Sequence, residues 1–404
     1  MNKRLAVIGG GASGFTAAIE AKRENPCADI TIFERLPKLC KKILVTGNGR
    51  CNFTNEDLSP KHFYGDTTFL RHVLTSVYAD SENYFRWLGV LSYHEDGRIY
   101  PRSQQSAVIR EVLINKAEAL GINCKTDTPV SDISKSGSIF NINGEKFDAV
   151  IIATGGKAAS VHGSDGSGFA LLEKFGHNIT PLHPALCGLI TDGGVLNFLK
   201  GVRAEAKASL YSGNSLLGEE SGEIQFTDKA VSGIPVMNLS HLCRDNTDLS
   251  LQLDLCEELS VTELREHLNN ISRENEMCEI EQTLGCIVNV KLGYAVLNKA
   301  KIKQHTLLKN LSTRDIDNII SILKCFKIAL IGTKGFESAQ ITCGGVNTSE
   351  IYPQTLMSNI CDGLFICGEA LDLHGDCGGY NLHLAWTTGR IAGASASEYL
   401  RNNL

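Results

Sequence analysis

A glycine triplet at Gly9, Gly11 and Gly14, set between a short apolar strand and a helix, constrains this chain more than any other feature. Leu5-Ala6-Val7-Ile8 reads as a buried strand and Phe15 to Lys22 as the helix after it. Ile30-Thr31-Ile32-Phe33, β-branched and aromatic, reads as a second strand that ends at Glu34. Strand, glycine turn, helix and strand make a βαβ unit with parallel strands and a right-handed crossover. The first glycine permits the tight turn, the second lets the backbone approach a pyrophosphate, and the third lets helix and strand pack closely. The helix start adds free N–H groups and positive dipole for phosphates. Glu34 follows Gly14 by 20 residues. There a carboxylate accepts from ribose hydroxyls, and an acid argues against a 2′-phosphate. A dinucleotide site is therefore expected, with Gly9, Gly11, Ala12, Ser13, Gly14, Glu34 and Arg35 as its first contributors.

The far end of the chain separates FAD from NAD. Gly363-Leu364-Phe365-Ile366-Cys367 reads as a buried strand running into Gly368-Glu369, and a helix is expected from about Leu382 to Leu400. Many two-part flavoproteins end a late strand in a glycine and an acid, close to the ribityl chain and pyrophosphate. Gly378-Gly379 then opens the long helix. A helix start aimed at the flavin pyrimidine would stabilise negative charge on the reduced ring. A third cluster, Thr46-Gly47-Asn48-Gly49-Arg50-Cys51-Asn52, sets turn-forming residues beside Arg and Asn, as in a loop wrapped round a ligand. Lys41 and Lys42 precede it and could face the pyrophosphate or solvent. Cys51 reads as a packed cysteine rather than a flavin-facing thiol.

Between these segments the pattern changes. Residues 35–105 look irregular, a helix is expected over 106–120 with Gly121 as its stop, and Asn143-Gly144 marks a hairpin before the strand Ala149 to Ile152. Short runs such as Ala206 to Tyr211 and Glu223 to Thr227 suggest β-structure over 189–250. Val261 to Ile271 and Ile316 to Phe326 carry helical spacing. The expected division is an FAD-binding domain in two parts, 1–188 and 343–404, a β-barrel-like substrate domain over 189–255 and 326–342, and a helical insertion over 256–325.

Composition excludes several classes. The formal net charge of -6 gives no electrostatic footprint for nucleic acid or an anionic membrane. The apolar run at the start of the chain ends at Ile8, too short for a signal peptide, and no run approaches the roughly 20 residues of a membrane span. A cytoplasmic location is expected. The 14 cysteines lack any Cys-x-x-Cys pair. That argues against a disulfide framework, a zinc site, and a redox disulfide beside the flavin. His374 lies between Asp372 and Asp376, but loop carboxylates near a cofactor explain that spacing better than a metal does.

The motifs together resemble the BaiN-like (YhiN-like) flavoproteins, bacterial FAD-dependent oxidoreductases. The resemblance rests on Val7 to Gly14, Val45 to Asn55, Gly97 to Pro101, Ala153-Thr154-Gly155-Gly156, Gly222 to Thr227, Thr342 to Val346, and Gly368 to Leu382, so it spans the chain. It implies an α/β fold with a two-part, glutathione-reductase-like Rossmann FAD domain, interrupted by a small β-barrel and a helical domain. It also implies a wider cofactor set: Lys42, Asn48, Gly49, Arg50, Cys51, Asn52, Val130, Ala153, Thr154, Gly155 and Gly156 from the first part. Gly368, Glu369, Asp372, Gly378, Gly379, Tyr380, Asn381 and Leu382 come from the second. Family members act on conjugated 3-oxo bile acid intermediates or on aminoacetone. The chain departs from the family pattern at Asp228, where His is common, and at His383, where Gln is expected.

Three readings follow. The first is hydride transfer through flavin N5 to an unsaturated ketone, with NADH or NADPH binding transiently because no second dinucleotide motif is present. The second is an FAD-dependent amine or aminoketone oxidase using O2. The third is an RNA-associated or non-catalytic flavoprotein. The sequence does not identify the acid/base residue; Tyr380, His383, His183 and Arg102 are candidates. It leaves the oligomeric state open.

Overall fold

Five parallel strands carry the dinucleotide motif, and the two ends of the chain meet in them. In the computed structural model, which describes residues 2–193 and 198–402, the sheet order is Leu364–Ile366, Ala149–Ile152, Arg4–Ile8, Asp29–Phe33, Asn123–Lys125. Ile8 lies opposite both Phe33 and Ile152, and Ile152 opposite Ile366. Leu5, Ala6, Val7 and Ala149 to Ile152 are fully buried, as a parallel sheet covered on both faces requires.

Two helices make the close contact beneath this sheet. Ala12–Glu24 packs along Tyr380–Asn402. Gly389 and Gly393 permit it: a Cβ at Gly393 would lie 2.1 Å from Ala17 O, and one at Gly389 would lie 2.3 Å from Thr16 Oγ1. Arg390 Nε donates to the buried Glu20 at 2.9 Å and crosses the Tyr84 ring at 4.5 Å.

Residues 35–105 hold more regular structure than their turn-rich sequence suggests. Helices span Thr67–Leu74 and Ser81–Trp87, each capped by an aspartate: Asp66 accepts from Phe69 N and Asp80 from Asn83 N. A small antiparallel sheet joins Thr54–Asn55, Arg98–Pro101 and Ser92–Glu95. The hairpin of Ile139–Ile142 and Glu145–Phe147 turns at Asn143 (φ 48°) and Gly144 (φ 86°), the left-handed pair that a two-residue turn demands.

The chain divides into two units, Met1–Pro184 with Gln340–Leu404, and Ala185–Ala339. The second unit contains a closed barrel of six strands, in the order Leu189–Thr191, Ala230–Gly233, Ser215–Thr227, Arg203–Ser212, Leu249–Asp254, Phe326–Thr333. Period-two burial marks its wall: Phe326, Ile328 and Leu330 point inward while Lys327, Ala329 and Ile331 face out. Besides the short helix Ile234–Leu239, this unit holds the helices Val261–Glu274, Ile280–Gly285, Val290–Ala300 and Thr313–Lys324. Capping boxes at Ser260/Glu263 and Ser312/Asp315 start the first and last of them. Among the described residues, no helix is long and apolar enough to cross a membrane.

Candidate active site

The three glycines divide the labour at the first turn. Gly9 adopts φ 110°, and a Cβ there would sit 2.3 Å from Ala153 O; one at Gly14 would sit 1.9 Å from Gly9 O. A Cβ at Gly11 meets no described atom within 4 Å. The outer two are therefore packing glycines, and the middle one leaves open space at the mouth of the 13-residue helix. The first N–H groups of that helix, Ala12, Ser13 and Gly14, have no intrahelical acceptor available. Glu34 curls over the turn: Oε2 accepts from Gly10 N and Oε1 from Leu36 N, both at 2.8 Å. Each oxygen keeps a further lone pair for a hydroxyl donor. The Glu34 carbonyl accepts from Thr128 N at 2.9 Å, which brings the segment bearing the half-buried Val130 alongside.

A strap over residues 157–166 is fastened to this region. Arg35 pairs with Asp165, and Lys41 Nζ donates to Val161 O at 2.6 Å. Lys42 Nζ donates to Glu369 Oε2 at 2.9 Å and to Ala158 O at 3.3 Å, so Lys42 joins the two halves of the domain. The other Glu369 oxygen accepts from Thr342 N at 2.8 Å. Gly156 has no room for a side chain, since a Cβ would lie 2.4 Å from Thr342 Oγ1 and 2.7 Å from Glu369 Oε1. At Gly155 (φ 74°) the crowding comes from Ser164 Oγ, at 2.8 Å. Gly368 (φ 72°) faces Ser13, whose Oγ would be 2.4 Å from an added Cβ. Asp372 Oδ2 accepts from Thr180 Oγ1 at 2.9 Å.

The loop 46–52 meets the start of the last helix. Gly47, Asn48, Gly49 and Cys51 all take left-handed backbone angles, the reason turn-formers crowd here. A Cβ at Gly379 would lie 2.7 Å from Asn52 Oδ1 and 2.6 Å from Thr54 O, and Asn55 Nδ2 donates to Gly378 O at 2.9 Å. Arg50 reaches Glu95 at 2.7 Å and lies 4.1 Å over the Tyr100 ring. The Cys51 thiol is fully buried, and burial pushes it up to about 12, so it stays protonated. Asn381 braces the preceding loop, donating to Gly375 O at 2.7 Å and accepting from Gly375 N at 2.9 Å. Leu382 packs against the main core.

The acid/base candidates are sorted by environment. Tyr380 opens the last helix directly after the glycine pair; its ring stacks on His62 at 4.6 Å, and burial pushes its hydroxyl up to about 12. His62 Nδ1 lies 2.9 Å from Asp376 Oδ2, and Tyr64 OH donates to Asp376 Oδ1 at 2.9 Å. His383 is fully buried, with Nδ1 shared between Thr54 Oγ1 at 2.9 Å and Ser81 Oγ at 3.0 Å. Burial lowers its pKa to about 4, so the ring is neutral. His183 is half-buried, and Arg102 is exposed with its guanidinium 5.6 Å from the Tyr93 ring. Asp228 is exposed in a barrel turn of the second unit. The His374 ring is buried and stacks on Tyr64 at 5.1 Å.

Sequence reasoning passed over Thr342, Thr180, Ser164 and Asp165, which hold the glycine segments and the strap in place. Hydroxyl residues that brace a distant segment leave no periodic signal; only the short Thr342-Cys343-Gly344-Gly345 run hinted at one of them. Two buried atoms of the candidate set, Asn52 Oδ1 and Thr154 Oγ1, have no hydrogen-bond partner among the described residues. Both oxygens pack against glycine backbone, Thr154 Oγ1 toward Gly168 and Asn52 Oδ1 toward Gly379, whereas the open space over Gly11 at the helix start fits the pyrophosphate of a dinucleotide.

Comparison with known proteins shows the family and the fold. The sequence family described as HI0933-like protein Rossmann domain matches residues 3–395. A 3-dehydro-bile acid delta(4,6)-reductase of Clostridium scindens is 37% identical over 98% of this chain and 99% of its own. A ribosomal RNA dihydrouridine synthase of Haemophilus influenzae is 25% identical over 97% of this chain and 98% of its own. Among solved structures, a variant of the FrdA subunit of E. coli quinol fumarate reductase aligns with a TM-score of 0.51 at 16% identity. That alignment covers 100% of this chain and 71% of that one, and it shows a shared fold. The chain belongs to the HI0933-like family of Rossmann-domain proteins and is an oxidoreductase built on an FAD-binding fold.

Proposed function

We propose that the protein is an NAD(P)H-driven reductase of a carbon–carbon double bond conjugated to a carbonyl, in an unsaturated ketone of the 3-oxo bile acid type. The observation that carries this reading is the full-length relative that bears the name of a 3-dehydro-bile acid reductase. The dihydrouridine synthases support the same reaction class, because dihydrouridine is uridine with a carbonyl-conjugated ring double bond reduced.

FAD, when bound, supplies hydride at N5. The chain's residues would hold and tune it. The amides of Ala12, Ser13 and Gly14 would face the pyrophosphate over Gly11, and Glu34 would take the ribose hydroxyls. Asn52, Thr154 and the paired Lys42–Glu369 would line the path toward the ring, with Gly378 and Gly379 at its pyrimidine end. Tyr380, kept protonated by burial, is the favoured proton donor; the neutral, enclosed His383 is not.

Anaerobic NADH or NADPH should bleach the visible flavin band of the purified protein, and a conjugated 3-oxo steroid should restore it without air. Failure of both nicotinamides to bleach it would remove the reading. Bleaching by aminoacetone, with recovery and peroxide in air, would favour the oxidase instead. Reduction of a uridine in ribosomal RNA is the second reading, favoured by two relatives at 25% identity over 97% and 95% of this chain. The net charge of -6 weighs against it. Dihydrouridine formed in ribosomal RNA incubated with protein and NADPH would establish it.

A further inference from the structure

The helical part of the second unit contains a cluster that the oxidoreductase fold does not use. Glu279 and Glu281 flank Ile280, and the segment after Lys303 crosses them. Ile280 N donates to Thr306 O at 3.0 Å, Leu308 N donates to Cys278 O at 2.9 Å, and Glu279 bridges Leu307. His305 takes φ 62° within this crossing. Its Nδ1 lies 3.0 Å from Glu279 Oε2 and 3.2 Å from Glu281 Oε1. One ligand atom from each side chain falls within 4.8 Å of the others.

An ion pair alone leaves this cluster incomplete. A single imidazolium faces two carboxylates, so one negative charge remains. The Glu281 side chain is only 8% exposed, and its Oε2 is buried with no hydrogen-bond partner among the described residues. A buried carboxylate oxygen without a partner is costly and calls for a compensating group. Oε1 already accepts from His305 N at 2.7 Å, and a cation at Oε1 would neutralise the charge that the two oxygens share.

We propose that Glu279, Glu281 and His305 bind one divalent transition-metal ion of the zinc class. An imidazole nitrogen with two carboxylates suits Zn²⁺, which takes three protein ligands and leaves a fourth position to water. Ca²⁺ and Mg²⁺ demand more oxygen ligands than this cluster offers. His305 is 76% exposed, so the ion has an open approach. Bound there, it would clip the 303–308 segment to the helix Ile280–Gly285.

The test uses tag-free, flavin-loaded protein, stripped with chelator and titrated calorimetrically with Zn²⁺ alone. The wild type should bind one equivalent more than either Glu281→Gln or His305→Ala, and Zn²⁺ should raise its unfolding midpoint but not theirs. Each variant should weaken that equivalent about tenfold or more, with the flavin spectrum unchanged. Mg²⁺ should give no such heat. His305→Ala alters an exposed side chain, so it decides the matter even if Glu281→Gln folds poorly. Equal Zn²⁺ uptake by wild type and His305→Ala would assign the binding to thiols or other surface groups. No uptake at all would leave an ion-pair clasp only. Either result overturns the proposal, and equal affinity for Mg²⁺ would overturn its zinc class.

Discussion

A methyl group at Gly11 and one at Gly14 should have opposite consequences. At Gly14 it would press to 1.9 Å from Gly9 O. That overpacking should cost about 1–3 kcal/mol, which outweighs the roughly 0.5–1 kcal/mol gained by replacing glycine in a helix. At Gly11 the methyl enters open space. Gly11→Ala should leave stability within about 0.5 kcal/mol yet weaken FAD retention, as unfolding midpoints and flavin release would show. The distinction between these glycines was legible from the spacing Gly-x-Gly-x-x-Gly, because each has a separate steric task. His383 was legible only as a departure from a family pattern. Its environment comes from Thr54 and Ser81, roughly 300 residues away in sequence. With a folded pKa of about 4, this imidazole refuses a proton that the unfolded chain accepts below about 6.5. Its effect on stability is absent at neutral pH and grows as a penalty while pH falls from about 6.5 toward 4, reaching about 2 kcal/mol at pH 5. His383→Gln should flatten that part of the pH dependence in urea unfolding; an unaltered slope would contradict a neutral buried ring. Tyr380→Phe keeps the stack on His62 and removes the proton. It should slow substrate turnover about a hundredfold while leaving flavin reduction by NAD(P)H intact in stopped-flow traces.

At the scale of elements, periodicity found what periodicity can find. Four strands of the parallel sheet, the helix after Gln105 and the barrel runs around Ala206–Tyr211 and Glu223–Thr227 carried apolar patterns of period two or near four, or continuous apolar runs, whereas the short, polar edge strand Asn123–Lys125 carried none. The helices Thr67–Leu74 and Ser81–Trp87 escaped because each makes only about two turns. Their aspartate caps were the available signal. The register of the last helix against the first was also hidden, since small residues on a helix face carry no hydrophobic pattern. Gly393→Val tests that contact. A side chain aimed at Ala17 O, 2.1 Å from its Cβ, should cost about 3 kcal/mol. It should also loosen FAD, because the helix that moves begins at the glycine pair. Intact FAD affinity alongside lost stability would separate the packing from the site.

Across the molecule, the sheet order puts the strand Leu364–Ile366 beside Ala149–Ile152 and one strand from Arg4–Ile8. The chain leaves this domain after Pro184, builds a barrel and a set of helices, and returns at Gln340 to close it. That architecture was readable because both ends carry glycine-and-acid punctuation after apolar strands. The bracing by Thr342, Thr180 and the 157–166 strap was not, since long-range polar contacts have no local sequence signature. The central claim is that backbone amides and carboxylates from both ends of the chain hold a single flavin nucleotide. Equilibrium titration of deflavinated protein with FAD tests it most directly. The wild type should turn yellow at one FAD per chain, and Gly11→Val should bind at least about tenfold more weakly with an unchanged unfolding midpoint. Protein that stays colourless in excess FAD, or a Gly11→Val variant that binds FAD as the wild type does, would contradict the account.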